Sequence, residues 1–289
     1  MASNVLDRLR KAINKDQKEL IVLYSVPGIG KTSFAAQFPK PVFVTDGKDK
    51  GVADLVRAGQ IQECPWFEVS TWQDARDVLS SLADPATEIP GQTLVIENLG
   101  GFQELLCESE VKRVSTRDGI TQEAALAKFN GYNRQGFNNV SPEFAAWLAD
   151  IQKVLTKNGC DGKPMRVILL GHAAVVKDKN PSGELGEEFL KTDIQLHTSL
   201  QALLHKDCGC IGLMRQRPVV VKSDKGNRAL SEDIREIVFH PSPNATAKNR
   251  WGLPPEAISM GKSAKEAFAF FSAAVAQAKA ANQPKGDSK

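Results

Sequence analysis

Five apolar residues, Leu20-Ile21-Val22-Leu23-Tyr24, run directly into Ser25-Val26-Pro27-Gly28-Ile29-Gly30-Lys31-Thr32. The run reads as a buried strand, and a helical segment closed by Pro39 follows the turn. Strand, glycine-rich turn and helix in that order make a phosphate cradle. Glycines let backbone N–H groups surround phosphate oxygens, and the helix N-terminus adds a favourable dipole. The expected contacts to a bound nucleotide are Ser25, Val26, Pro27, Gly28, Ile29, Gly30, Lys31, Thr32 and Ser33. Lys31 is expected on the β- and γ-phosphates, and the Thr32 hydroxyl on Mg²⁺. A chance glycine turn is the bland alternative, against which the length and context of the motif argue. Ser25 stands where the strict pattern has Gly, so it must adopt torsions open to a non-glycine residue.

Further short β-rich runs occur at Val42–Thr45, Phe67–Val69, Thr93–Ile96 and Arg166–Leu170, with helical patterns between most of them. That alternation predicts an α/β fold with a mainly parallel, doubly wound sheet. Ser141-Pro142 is expected to open a helix carrying Phe144, Trp147, Leu148, Ile151, Val154 and Leu155 at 3–4 spacing. Beyond residue 205 the texture changes to a C-terminal antiparallel extension: Cys210–Arg215, Val219–Lys222 and Ile234–Phe239, with a turn over 223–227. A last helix carries Ala264, Phe268, Phe271, Val275 and Ala278. Three stretches, 107–140, 172–192 and 240–254, read as long loops of the kind that carry function. The expected organisation is an N-terminal helix over 1–16, a main domain over 17–258, and a C-terminal helix with a flexible tail over 259–289.

The 289 residues suffice for a full core, and the formal charge of +3 permits a polyanionic partner without requiring one. Five cysteines, an odd number, give no disulfide framework and point to a reducing compartment. No apolar run approaches a membrane span, so a soluble, cytoplasmic protein without a membrane partner is expected. His205, Cys208 and Cys210 suggest a metal corner but lack the second thiol pair of a structural zinc site.

Ligands of doubly wound sheets bind at strand C-terminal ends, and three such ends carry polar groups. Thr93-Leu94-Val95-Ile96-Glu97 has the texture of a Walker B strand, with Glu97 where Asp is usual. Glu97 is therefore expected to share the Mg²⁺ with Thr32 or to polarise the attacking water, unless it is an edge-strand carboxylate facing solvent. Val42-Phe43-Val44-Thr45-Asp46 ends in an acid with Asp49 close behind, and Val167–Gly171 leads to His172, placed to sense the γ-phosphate. Asp46 and His172 also suit a capping or loop-anchoring role.

Together these segments, with Ser141–Leu155 and Ala247-Lys248-Asn249-Arg250-Trp251-Gly252-Leu253-Pro254, make the chain resemble the RecA-like P-loop ATPases. The closer similarity is to the compact phage-type ATP-binding proteins of single-strand annealing and recombination, over residues 17–258. The resemblance implies ATP as nucleotide, the phosphate-loop and Walker B strands flanking the His172 strand, and a homo-oligomer with ATP between protomers. It also implies a bacterial or phage-infected cell. Relatives commonly carry a glutamate two residues beyond the acid equivalent to Asp46, and this chain has Lys48 there. A carboxylate among Asp46, Asp49 and Glu97 is left to orient water, or hydrolysis is slow or absent. The resemblance further implies that Lys248 and Arg250 reach a neighbour's γ-phosphate; ordinary solvated cations are the alternative.

Arg215, Arg217, Lys222, Lys225 and Arg228 put five cations within fourteen residues, opposed in that stretch by Asp224 alone. Such a ribbon suits the backbone of single-stranded DNA, or it is an edge hairpin blunted by charge. By the resemblance, the stretches over 107–140 and 172–192, which carry Lys112, Arg113, Arg117, Lys128, Arg134, Lys177 and Lys179, are further candidates to face DNA. Three function classes compete: a DNA-acting ATPase, a nucleotide-regulated binding module that barely hydrolyses, and a small-molecule kinase or GTPase. The last lacks a guanine-recognition motif and an arginine-rich lid.

Overall fold

The computed structural model describes residues 19–48, 50–131, 135–179, 188–223 and 226–281. The helix expected over 1–16, Asp49, Arg134, the turn residues Asp224 and Lys225, and the tail from Asn282 lie outside the described residues.

Apolar residues on both faces of the inner strands dictate a sheet covered on both sides. In β1 (Glu19–Ser25), Leu20, Val22 and Tyr24 point into one core, while Ile21 and Leu23 point into another. The same alternation divides β4 (Thr93–Glu97) and the first half of β5 (Arg166–Lys179). Beside them run β2 (Pro41–Asp46) and the edge strand β3 (Trp66–Val69).

Among the described residues the sheet has ten strands, and its main path reads β10-β8-β7-β1-β5-β4-β2-β3. From β7 (Cys210–Ser223) to β3 every pairing is parallel. Next come β8 (Gly226–Val238) and β10 (Ile258–Ser259), both antiparallel, so the extension expected at the C-terminal end of the chain is present. The His172 strand lies between β1 and β4, in the order expected.

One face is covered by α3 (Trp72–Ala83), α4 (Leu99–Asp118), α5 (Gln122–Phe129), α6 (Gln135–Val154) and α7 (Thr198–Asp207). Trp147 anchors this layer, with ring centroids 5.4 Å from Phe102, 5.5 Å from Phe144 and 6.0 Å from Trp72. The other face is covered by α1 (Lys31–Ala35), α2 (Gly51–Arg57) and α8 (Ala264–Ala281). There Phe34 and Phe38 meet Phe268 and Phe271.

Among the described residues, two of the three stretches expected as loops are largely helix or strand, whereas 240–254 is mostly turns and irregular backbone, as expected. Residues 107–140 are mostly helical: Thr121 caps α5 by accepting from the Ala124 N–H, and Gly119 closes α4 at a φ of 63°. Pro142 lies inside α6 rather than at its start; Ser141 Oγ donates to the Phe137 carbonyl, and the buried aromatic stripe offsets the missing backbone bond. Residues 173–179 continue β5 and pair antiparallel with β6 (Glu188–Ile194), so the described part of 172–192 is mostly paired strand. Within 240–254, β9 (Lys248–Asn249) pairs with the start of β7. The two strands expected at Cys210–Arg215 and Val219–Lys222 are one, with a register shift between Gln216 and Pro218 where the ladder accommodates proline.

Candidate functional site

The parallel register brings four strands to one rim. Ser25 pairs with His172, Ile96 with Leu169 and Thr45 with Glu97, so Ser25, Glu97 and Asp46 end their strands on the rim where the parallel part of β5 stops, at His172.

Between β1 and α1 the loop turns on Gly30, whose φ of 104° a side chain would strain. Ser25 stays within the strand with no positive φ, so its Cβ is tolerated. Its hydroxyl takes up a new task, accepting from Lys31 Nζ at 3.0 Å and donating to the Val26 carbonyl at 2.7 Å. Lys31 is buried, with its ammonium also 3.4 Å from the Ser25 carbonyl. Val26, Pro27 and Gly28 are exposed and Ile29 is buried, which leaves an open cradle above an anchored base. The helix after the loop is shorter than expected: it stops at Ala35, before Pro39. A single helical turn has a weak dipole, so the loop N–H groups and Lys31 carry most of the attraction for anions.

Thr32 Oγ1 donates to Glu97 Oε1 at 2.5 Å, and Glu97 is 4% exposed. A hydroxyl and a carboxylate at the mouth of a phosphate cradle are hard oxygen donors of the kind Mg²⁺ takes, so the residues present fit that ion. Asp46 is held differently. Its carboxylate accepts from the Lys48 N–H at 3.0 Å and from Asn98 Nδ2 at 3.4 Å, at the positive end of the twenty-residue α4. Asn98 caps that helix, accepting from the Gly101 N–H at 2.9 Å. A cavity of about 440 Å³ adjoins the rim between Asp46, Lys48, Asn98 and His172.

Lys48 bridges Glu104 and Glu108 of α4 at 3.1 and 3.0 Å. The bonds to Glu108 and Glu104 push its ammonium above the ordinary range, so it stays charged. Position 48 is thereby a cation clamped to the neighbouring helix.

The remaining candidates lie apart. Arg215 and Arg217 each bond Glu236, which faces Arg215 across the hairpin, at 3.0 Å, so Asp224 is not the only acid opposing the cation run. Lys222 and Arg228 pair Asn227 and Val221 in the same ladder. Arg250 is at the opposite end of the sheet: its N–H donates to the Gly209 carbonyl, and the Gly209 N–H donates to Leu20, at the start of β1. Lys248 Nζ donates to the His205 carbonyl.

His205, Cys208 and Cys210 form no metal cluster among the described residues. Burial lowers the His205 pKa and pushes the Cys208 and Cys210 thiols up to about 11 and about 12. These are thiols of the core.

Sequence reasoning missed Asn98, Glu236 and Arg235. Asn98 could have been found as an N-cap before an apolar stretch. Glu236 needed the hairpin register. Arg235 Nη1 donates to the Ile29 carbonyl at 3.2 Å across 206 positions of chain, which no local signal announces.

The profile of an AAA domain family matches residues 17–251. Among curated proteins no relative matches significantly. No helix among the described residues is long and apolar enough to cross a membrane.

Proposed function

Since the chain belongs to the AAA domain family of P-loop nucleotide-binding proteins, we propose that it binds ATP on residues 25–33 and hydrolyses it to ADP and phosphate. We further read the protein as RecA-like, coupling the nucleotide state to single-stranded DNA in annealing, recombination or repair. The observation that carries the ATPase reading is the convergence of Lys31, Thr32, Glu97 and His172 on one rim, with Thr32 and Glu97 already in contact.

Each residue has a part set by its place. Lys31 exchanges its Ser25 contacts for β- and γ-phosphate oxygens, delivering a buried positive charge. Thr32 and Glu97 hold the Mg²⁺ shell, and a bound Mg²⁺ supplies neutralisation of phosphate charge. Glu97 orients water at the rim, and Asp46, tied to Asn98 and the Lys48 main chain, positions the start of α4. His172 heads the outer half of β5, so a change at its ring passes into the β5–β6 hairpin. By sequence, the run that carries Lys222, Lys225 and Arg228 supplies the cations for the DNA backbone in this reading.

A second reading, a nucleotide-regulated binding module with little hydrolysis, is favoured by Lys48, which is paired with Glu104 and Glu108 where the RecA-like resemblance implies a water-activating glutamate.

ATP turnover measured with and without single-stranded DNA separates the two. Stimulated turnover that Glu97→Gln abolishes while nucleotide still binds supports the ATPase. Bound ATP without turnover, with nucleotide-dependent DNA affinity, supports the module.

A further inference from the structure

Resting on the phosphate-site reading, we infer that the cavity on the β8 side of the loop receives the nucleoside end of the nucleotide, with Arg235 and Lys262 as its cations. Thr32, Glu97 and His172 set the terminal-phosphate end toward β4 and β5. The strand order puts β7, β8 and β10 on the other side of β1. A nucleotide laid across the end of β1 therefore carries its sugar and base toward β8.

A cavity of about 210 Å³ lies there, lined by Gly30 and Ser33 of the phosphate loop and by Gln60, Arg235, Met260 and Lys262. It is smaller than the roughly 300–1,000 Å³ of a site that encloses a whole ligand, as suits one end of a molecule whose phosphates sit outside it. Ser33 directly follows Thr32, so the cavity opens one residue from the metal-side hydroxyl.

Its two walls are fixed to each other: the Met260 N–H donates to the Arg235 carbonyl at 2.8 Å, and β10 pairs with β8 through Ile258 and Ser259. Arg235 is also fixed to the loop, through Ile29, and its Nη1 lies 3.4 Å from where a Cβ on Gly30 would be. The lining carries two cations and no acid. A guanidinium offers a flat face to a purine or pyrimidine ring, and Lys262, exposed, adds a donor beside the sugar.

The test compares two ligands that share a triphosphate. Mg-ATP and inorganic tripolyphosphate are titrated into the full chain and into Arg235→Ala and Lys262→Ala. The expected result is ATP affinity lowered about five- to tenfold with tripolyphosphate affinity unchanged, because only ATP has a nucleoside to lose contacts. Lys262 is exposed, so its variant keeps the comparison available if Arg235→Ala does not fold. Selective weakening of ATP in either folded variant supports the inference. Absence of selectivity, whether both ligands weaken equally or neither changes, overturns it and leaves Arg235 as a brace for the loop. A wild-type chain that binds neither ligand overturns the phosphate-site reading itself.

Discussion

At Gly101 the first turn of α4 comes so close to β2 that a Cβ would lie 1.7 Å from Asp46 Oδ2. The Asp46 carboxylate, the Asn98 cap and the start of α4 thus pack as one unit, and only hydrogen fits between them. Gly101→Ala should cost roughly 1–3 kcal/mol in urea unfolding and weaken nucleotide turnover with it; unchanged stability would show that α4 can shift freely.

A second residue-scale prediction concerns Glu19. Burial by itself would raise its carboxyl, but Arg166 and Lys279 hold it below its ordinary 4.5. A depressed folded pKa contributes stability above the unfolded value, and that contribution is lost as pH falls through the folded one. Glu19→Gln should therefore destabilise the chain by about 1 kcal/mol at neutral pH, and the difference should close below pH 4.5. A pH-independent difference would assign the effect to packing.

At the scale of elements, what was legible followed from how local the signal was. The parallel strands were readable because each is a short apolar run closed by turn residues, and the phosphate loop because eight adjacent residues carry it. The 107–140 stretch misled because its helices have charged, exposed faces, whereas the caps that define them, Thr121 and Gly119, are single residues. The β5–β6 hairpin was hidden because Val175 and Leu190 are exposed and the strands bury little, so the periodicity was weak. Trp147 illustrates the readable case. It is fully buried among Trp72, Phe102 and Phe144, and Trp147→Ala should cost roughly 3–5 kcal/mol by chemical denaturation. A cost near zero would mean that α6 does not pack as described.

At the scale of the molecule, the phosphate loop and Arg250 lie at opposite ends of β1. Leu20 to Ser25 spans roughly 16 Å along the strand, so Arg250, beside Gly209 and Leu20, cannot reach the loop of its own protomer. If Arg250 acts on phosphate, as proposed for a neighbour, it acts in trans. Specific ATPase activity should then rise with protein concentration, and mixing Arg250→Ala with Lys31→Ala protein should restore activity at mixed interfaces. Full activity of Arg250→Ala in a demonstrated monomer would contradict this without touching the nucleotide site.

The proposed nucleotide site rests on Lys31, the buried ammonium that the loop holds on Ser25. Calorimetric titration of Mg-ATP into wild-type and Lys31→Ala protein, with folding checked by circular dichroism, tests it most directly. The account predicts saturable binding to the wild type and a loss of about a hundredfold or more in the variant. Wild-type affinity in a folded Lys31→Ala protein would contradict it.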